Sequence, residues 1–108
     1  MCDRTIVDYV WTGVRVLFGS TAADRYAFIA YFDADRDLTV ARIDLQTCAV
    51  TRKHLPSKFK GWDAHNYSAI ALDAEGQLHV SGNMHSAPLV YFRSRLPLDI
   101  ETLEPARR

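Results

Sequence analysis

Cysteine is scarce in this chain: Cys2 and Cys48 are the only two in 108 residues, too few for a disulfide scaffold. Free thiols are expected, because Cys2 sits on what reads as a loose terminus, with a single Cys2–Cys48 bridge as the alternative. Net charge is missing too, since thirteen Lys/Arg cancel thirteen Asp/Glu. That balance argues against nucleic acid as the main partner, because phosphate binding needs a local excess of cations. The one basic cluster, Arg52-Lys53-His54 with Lys58 and Lys60 nearby, reads as solvated surface. Apolar runs last only a few residues, so no membrane span is expected. Residues 1–20 lack the charged start, apolar block and cleavage site of a signal peptide, and the compartment stays open. No Gly-rich phosphate loop, Ser-centred elbow, His-x-x-x-His or Cys-x-x-Cys occurs, so neither a cofactor nor a metal is expected.

What is present is a globular composition, 48% hydrophobic and 24% charged, arranged with a period of two and nowhere sustaining a helical period. Residues 14–18, 26–32, 38–43 and 49–55 read as strands, and so do 67–72, 78–81 and 89–93. Tyr26–Phe32 is apolar throughout and should be buried on both faces. The polar stretches Asp33–Asp37 and Asp73–Gln77 read as tight reversals. The fold class is all-β, a meander of antiparallel strands.

Two of these reversals echo each other. Asp33-Ala34-Asp35-Arg36-Asp37-Leu38-Thr39-Val40-Ala41 aligns without gaps on Asp73-Ala74-Glu75-Gly76-Gln77-Leu78-His79-Val80-Ser81, at an offset of 40. A period near 40 with about four short strands per unit is the signature of a β-propeller blade. The expected organisation is one partial propeller domain over residues 1–108, with blade one at about 14–55 and blade two at about 65–108. Two blades do not close a propeller, which needs roughly four to eight. Faces such as Phe28/Ala30/Phe32 and Ile70/Leu72 should then lack neighbours, which implies a piece of a larger protein or self-association through open blade edges. A compact domain of six or seven strands is the competing arrangement.

Gly61-Trp62-Asp63-Ala64-His65-Asn66-Tyr67, together with Gly82-Asn83-Met84-His85 and the following Ser86-Ala87-Pro88-Leu89-Val90-Tyr91-Phe92-Arg93-Ser94, resembles the BNR-repeat-containing, sialidase-like β-propeller proteins. The likeness is to the branch related to ulvan lyases. Val10-Trp11-Thr12-Gly13 and Tyr31-Phe32-Asp33-Ala34-Asp35-Arg36 are similar to the opening blade of that family. The resemblance implies a seven-bladed propeller acting on acidic polysaccharide by β-elimination. It does not imply sialidase activity, because the arginine cluster that grips a sialic-acid carboxylate is not visible.

The resemblance also implies that two histidines of the second blade line the substrate groove, while a Tyr and an Arg come from later blades. The matching positions are His65 and His85, with His65 read as the proton-transfer residue and His85 as a ligand of the sugar or its carboxylate. Asn66 and Asn83 are candidate hydrogen-bond donors to the same sugar, and Asp63 can orient His65 or cap a turn. Imidazole suits proton transfer because its ordinary pKa lies near ~6.5. His79, between Leu78 and Val80, should point to the opposite face from them, and His54 should lie on the surface. Trp62 and Tyr91 are either sugar-stacking platforms or buried aromatics. The alternative to an enzyme is a non-catalytic carbohydrate-binding or structural module.

Overall fold

The computed structural model describes residues 4–10, 18–58, 68–82 and 90–106. They form two four-stranded antiparallel sheets, each an up-and-down meander with its strands in sequence order. The first holds β1 (Gly19–Ala23), β2 (Tyr26–Phe32), β3 (Asp37–Asp44) and β4 (Val50–Lys58). The second holds β5 (Ala69–Leu72), β6 (Leu78–Ser81), β7 (Tyr91–Ser94) and β8 (Leu103–Pro105), with a 3-10 turn at Ile100–Thr102 before its last strand. This is blade architecture, as expected.

The pleat sends Phe28, Ala30, Phe32, Leu38 and Val40 to one face of the first sheet. Ladder pairs Ala30↔Val40 and Phe32↔Leu38 fix that register. These residues share one core with Leu55 and with Leu78, Val80, Phe92, Ile100 and Leu103 of the second sheet. The face expected to be bare at Phe28/Ala30/Phe32 is therefore covered by the second sheet, and Ile70 and Leu72 pack against the same cluster.

The sheets come closest where β1 meets β5. A Cβ placed on Gly19 would lie 3.0 Å from both Ala69 Cα and Ile70 N. Backbone cannot yield there, so only hydrogen fits. Beside this contact the buried Ser68 donates its hydroxyl to the Ala30 carbonyl at 2.7 Å. Farther out, Arg42 Nη1 donates to the Leu98 carbonyl at 3.1 Å while its guanidinium lies 4.5 Å from the Tyr26 ring centroid.

Three local expectations need correction. β1 runs through Gly-Ser-Thr-Ala-Ala at 19–23, and Phe18 lies outside it, two-thirds exposed; residues 14–17 are outside the described set. β8 was not legible, since it spans three residues and ends in a proline. Cys48 is disulfide-bonded rather than a free thiol; the other cysteine, Cys2, lies outside the described residues. The loose terminus behind that expectation is not what the following segment shows. Tyr31 Oη donates to Asp8 at 2.7 Å, Ala34 N–H donates to the Tyr9 carbonyl at 3.1 Å, and Val10 bridges to Asp33. Residues 7–10 are thus fastened to the first sheet.

Gly19→Val is expected to lower stability by about 2–3 kcal/mol through collision with β5, and Leu78→Ala by about 2–5 kcal/mol through a cavity in the shared core. Urea midpoints check both, and a wild-type midpoint for Gly19→Val would contradict the close β1/β5 packing.

Candidate functional site

Both echoed segments are hairpin loops built the same way. Asp33 N–H donates to the Asp37 carbonyl and Arg36 N–H to the Asp33 carbonyl; Asp73 N–H donates to Gln77 and Gly76 N–H to Asp73. Arg36 and Gly76 each take positive φ, 66° and 81°, as the last loop residue of a type I turn closed by a bulge requires. The aspartate side chain holds each loop. Asp33 Oδ1 accepts from Asp35 and Asp37 N–H at 2.9 and 3.0 Å. Asp73 Oδ1 accepts from Glu75 and Gln77 N–H at 3.0 and 2.9 Å.

The remaining carboxylate oxygen reaches across to the residue six positions on. In the first loop, Thr39 Oγ1 donates to Asp33 Oδ2 at 3.1 Å, and His54 Nδ1 lies 2.9 Å from the same oxygen. In the second, His79 Nε2 lies 2.8 Å from Asp73 Oδ2, and His79 Nδ1 lies 2.5 Å from the Tyr91 hydroxyl. The two rings are stacked at 9° with centroids 5.8 Å apart. A carboxylate can only accept, so Nε2 carries the proton and Nδ1 accepts from the phenol. The hydrogen bond from His79 holds the Asp73 carboxyl below the usual carboxylate range, with the Gln77 and Glu75 amides adding to it.

The echo does not mark equivalent strands. Asp33 joins the second and third strands of its sheet, whereas Asp73 joins the first and second of its own. The offset of 40 therefore records a repeated hairpin one strand out of step between the blades. Its apolar pairs, Leu38/Val40 and Leu78/Val80, both enter the shared core, so the aspartates sit on the outward faces.

Asp33, Asp37 and His54 bring three ligand atoms within 4.8 Å of one another, the one such group among the described residues. These residues could hold a divalent cation in number, yet both oxygens of Asp33 are already taken by the loop amides, Thr39 and His54. The hairpin accounts for the cluster. His54 is exposed on the sheet surface, as expected.

The sequence-derived candidates His65, His85, Asn66, Asn83 and Asp63 all lie outside the described residues, as does Trp62. The described strands do fix where those stretches join the sheet. Ala69 pairs with Ser81, and Ser81 with Tyr91. The chain thus enters β5, leaves β6 and enters β7 at one end of the second sheet, opposite the Asp73 hairpin. The sequence reading missed the Asp73–His79–Tyr91 chain. Its members are six and twelve residues apart and meet only once the β5–β6 and β6–β7 registers are set.

The family model for BNR repeat-containing family members matches residues 26–108. The chain belongs to that family. No curated protein matches it. The family match spans β2 through β8 and so covers both echoed hairpins and both stretches that carry the candidate histidines.

An ordinary surface ion pair joins the β1–β2 turn to the end of β3: Arg25 Nε donates to Asp44 Oδ1 at 3.1 Å. The Arg25 guanidinium, and then the Gln46 and Thr47 amides, hold the Asp44 carboxyl down to about 2. A depressed carboxyl stabilises the fold above the unfolded-state pKa near ~3.9, and that contribution is lost as pH falls through the folded value. Arg25→Gln is expected to move the Asp44 titration midpoint upward, read from side-chain carboxyl carbon shifts between pH 1.5 and 5. An unmoved midpoint would assign the shift to the turn amides alone.

Proposed function

We propose that this BNR-repeat protein contributes to a carbohydrate-active propeller that holds acidic polysaccharide at the rim of its second blade, in the manner of the ulvan-lyase-related branch. β-Elimination needs three things of its site: neutralisation of the uronate carboxylate so that the C5 proton becomes acidic, a base for that proton, and an acid for the departing glycosidic oxygen. In this reading His65 transfers the proton and His85 binds the carboxylate or the sugar. Asn66 and Asn83 donate hydrogen bonds to the sugar, and Asp63 orients His65.

The observation that carries the reading is the register Ala69↔Ser81↔Tyr91. It puts the start of β5, the end of β6 and the start of β7 at one end of the sheet, the end at which the chain segments carrying His65 and His85 join the described strands. Family membership supports the propeller context, and the resemblance of the Trp-Asp-x-His-Asn and Gly-Asn-Met-His segments supports the substrate class. A second reading, a self-associating module, draws on Ile6, Tyr9, Val10 and Phe18. All four are more than half exposed beside an apolar hollow of about 180 Å3 lined by Val7, Ile29 and Tyr31.

The resemblance places the Tyr and Arg of the reaction in blades beyond the second, so binding rather than turnover is the expected readout for this chain. Titration with ulvan-derived uronate oligosaccharides should give saturable calorimetric binding. His65→Ala and His85→Ala should each weaken it about tenfold or more, the scale of a charge-assisted hydrogen bond, with melting temperatures unchanged. Unaltered affinity in both variants, or a marked fall in melting temperature without loss of binding, would return the two histidines to a structural role. Concentration-dependent mass by light scattering without sugar binding would favour the self-associating module.

A further inference from the structure

The outward face of the second sheet carries a chain of groups that the uronate reading does not use. Asp73, His79 and Tyr91 form the arrangement by which a weak hydroxyl nucleophile is activated: an acid-orienter, a base held in one tautomer, and a hydroxyl within hydrogen-bond reach of that base. Asp73 is fixed by the Glu75 and Gln77 amides and accepts a hydrogen bond from His79 Nε2–H. Nδ1 is thereby left to accept from Tyr91 Oη at 2.5 Å. Tyr91 is half-buried and borders a hollow of about 190 Å3 whose floor is small, with Ala69, Ala71 and Ser81 among its lining. A small electrophile has room to approach the phenol there.

The first blade supplies an internal comparison. Its echoed hairpin has an aspartate with the same two amide contacts and a positive-φ residue at the same position, Arg36 for Gly76, with Thr39 where the second has His79. There His54 meets the aspartate from the neighbouring strand, and its Nδ1 lies 3.1 Å from the Thr39 hydroxyl. The ladder position that matches Tyr91 in the first blade is Arg52, since Ala41 pairs with Arg52 where Ser81 pairs with Tyr91. The hairpin is therefore built without a tyrosine in line behind the base, and holding the loop does not explain the His79–Tyr91 pair.

We propose that Tyr91 is a nucleophilic acceptor site for small acyl or sulfonyl donors, activated by His79 with Asp73 behind it. In the step, Tyr91 Oη attacks the electrophilic carbon or sulfur, forming the new ester bond. The bond to the leaving group breaks and its electron pair departs with that group. The phenolic proton passes to His79 Nδ1, and Asp73 stabilises the resulting imidazolium. No oxidant or reductant enters. Arg93, the ladder partner of His79, is the charged neighbour on the adjacent strand of this face.

The test is labelling with phenylmethanesulfonyl fluoride, where an oxygen–sulfur bond forms and fluoride leaves, followed by peptide mass mapping. Wild-type chain should carry one adduct, on Tyr91, in preference to Tyr9, which is 80% exposed. His79→Thr installs the residue that the first hairpin already uses and should retain the fold by circular dichroism while slowing Tyr91 labelling at least about tenfold; Asp73→Asn should slow it less. Adducts centred on Tyr9, or an unchanged rate in His79→Thr, would each overturn the proposal.

Discussion

Everything in this molecule is referred to the contact between β1 and β5. Two four-stranded sheets can bury a common apolar face only if some pair of strands approaches closely, and here that pair runs backbone against backbone at Gly19 and Ala69. Beyond that line the apolar faces of the two sheets meet in one core: Phe28, Ala30 and Phe32 of β2, Leu38 and Val40 of β3 and Leu55 of β4 lie with Leu78, Val80, Phe92, Ile100 and Leu103. Arg42 of β3 adds a polar tie by reaching the Leu98 carbonyl. Close approach along one strand pair with a shared core beyond it suits radially arranged blades.

The repeated aspartate hairpin gives the two sheets their facing sides. In each copy the aspartate carboxylate ties together the loop amides, and neighbouring segments add to the hold, Ala34 N–H donating to the Tyr9 carbonyl and Leu98 N–H to the Gly76 carbonyl. The pleat then sends the leucine and valine that follow into the core and the intervening residue outward. That outward position is where the copies differ in chemistry. Thr39 is fully buried and neutral, and its hydroxyl donates to the hairpin aspartate and lies 3.1 Å from His54 Nδ1 on β4. His79 is partly exposed and bonded at both nitrogens. One local motif thus yields a structural anchor in one blade and a polarised hydroxyl in the other.

Much of the fold was legible because its strands obey the period of two. β2, β3 and β6 lie where Tyr26–Phe32, Leu38–Ile43 and Leu78–Ser81 alternate or run apolar, and the outward direction of His79 followed from its two apolar neighbours. β1 was illegible for the reason that makes it matter: close approach demands Gly, Ser, Thr and Ala, which carry no hydrophobic signal. The meaning of the echo was also hidden. A gapless offset of 40 looks like one blade laid on the next, yet a shift by one strand preserves the local hairpin as well, and only the ladder pairs separate the two. Of the candidate site, the sequence named His65 and His85 by resemblance, and both lie outside the described residues. Asp73, His79 and Tyr91 carry no spacing signature, since they lie on a loop and two different strands.

The hydrogen-bonded chain of Asp73, His79 and Tyr91 ties together the strands of the second blade that it crosses. β7 begins at Tyr91, directly where the chain returns from the stretch bearing His85, and its first residue pairs with Ser81 at that end of the ladder. The hydroxyl of Tyr91 is held in turn by His79, and His79 by an aspartate whose loop lies at the opposite end of the sheet. The line of hydrogen bonds therefore runs most of the length of the blade's outward face and fixes the start of β7 from behind. A strand only four residues long has few ladder bonds of its own to set its position. Pinning its first side chain to an amide-anchored carboxylate restrains the end from which the 83–89 stretch departs. The same three residues that polarise a phenol thus steady the start of β7.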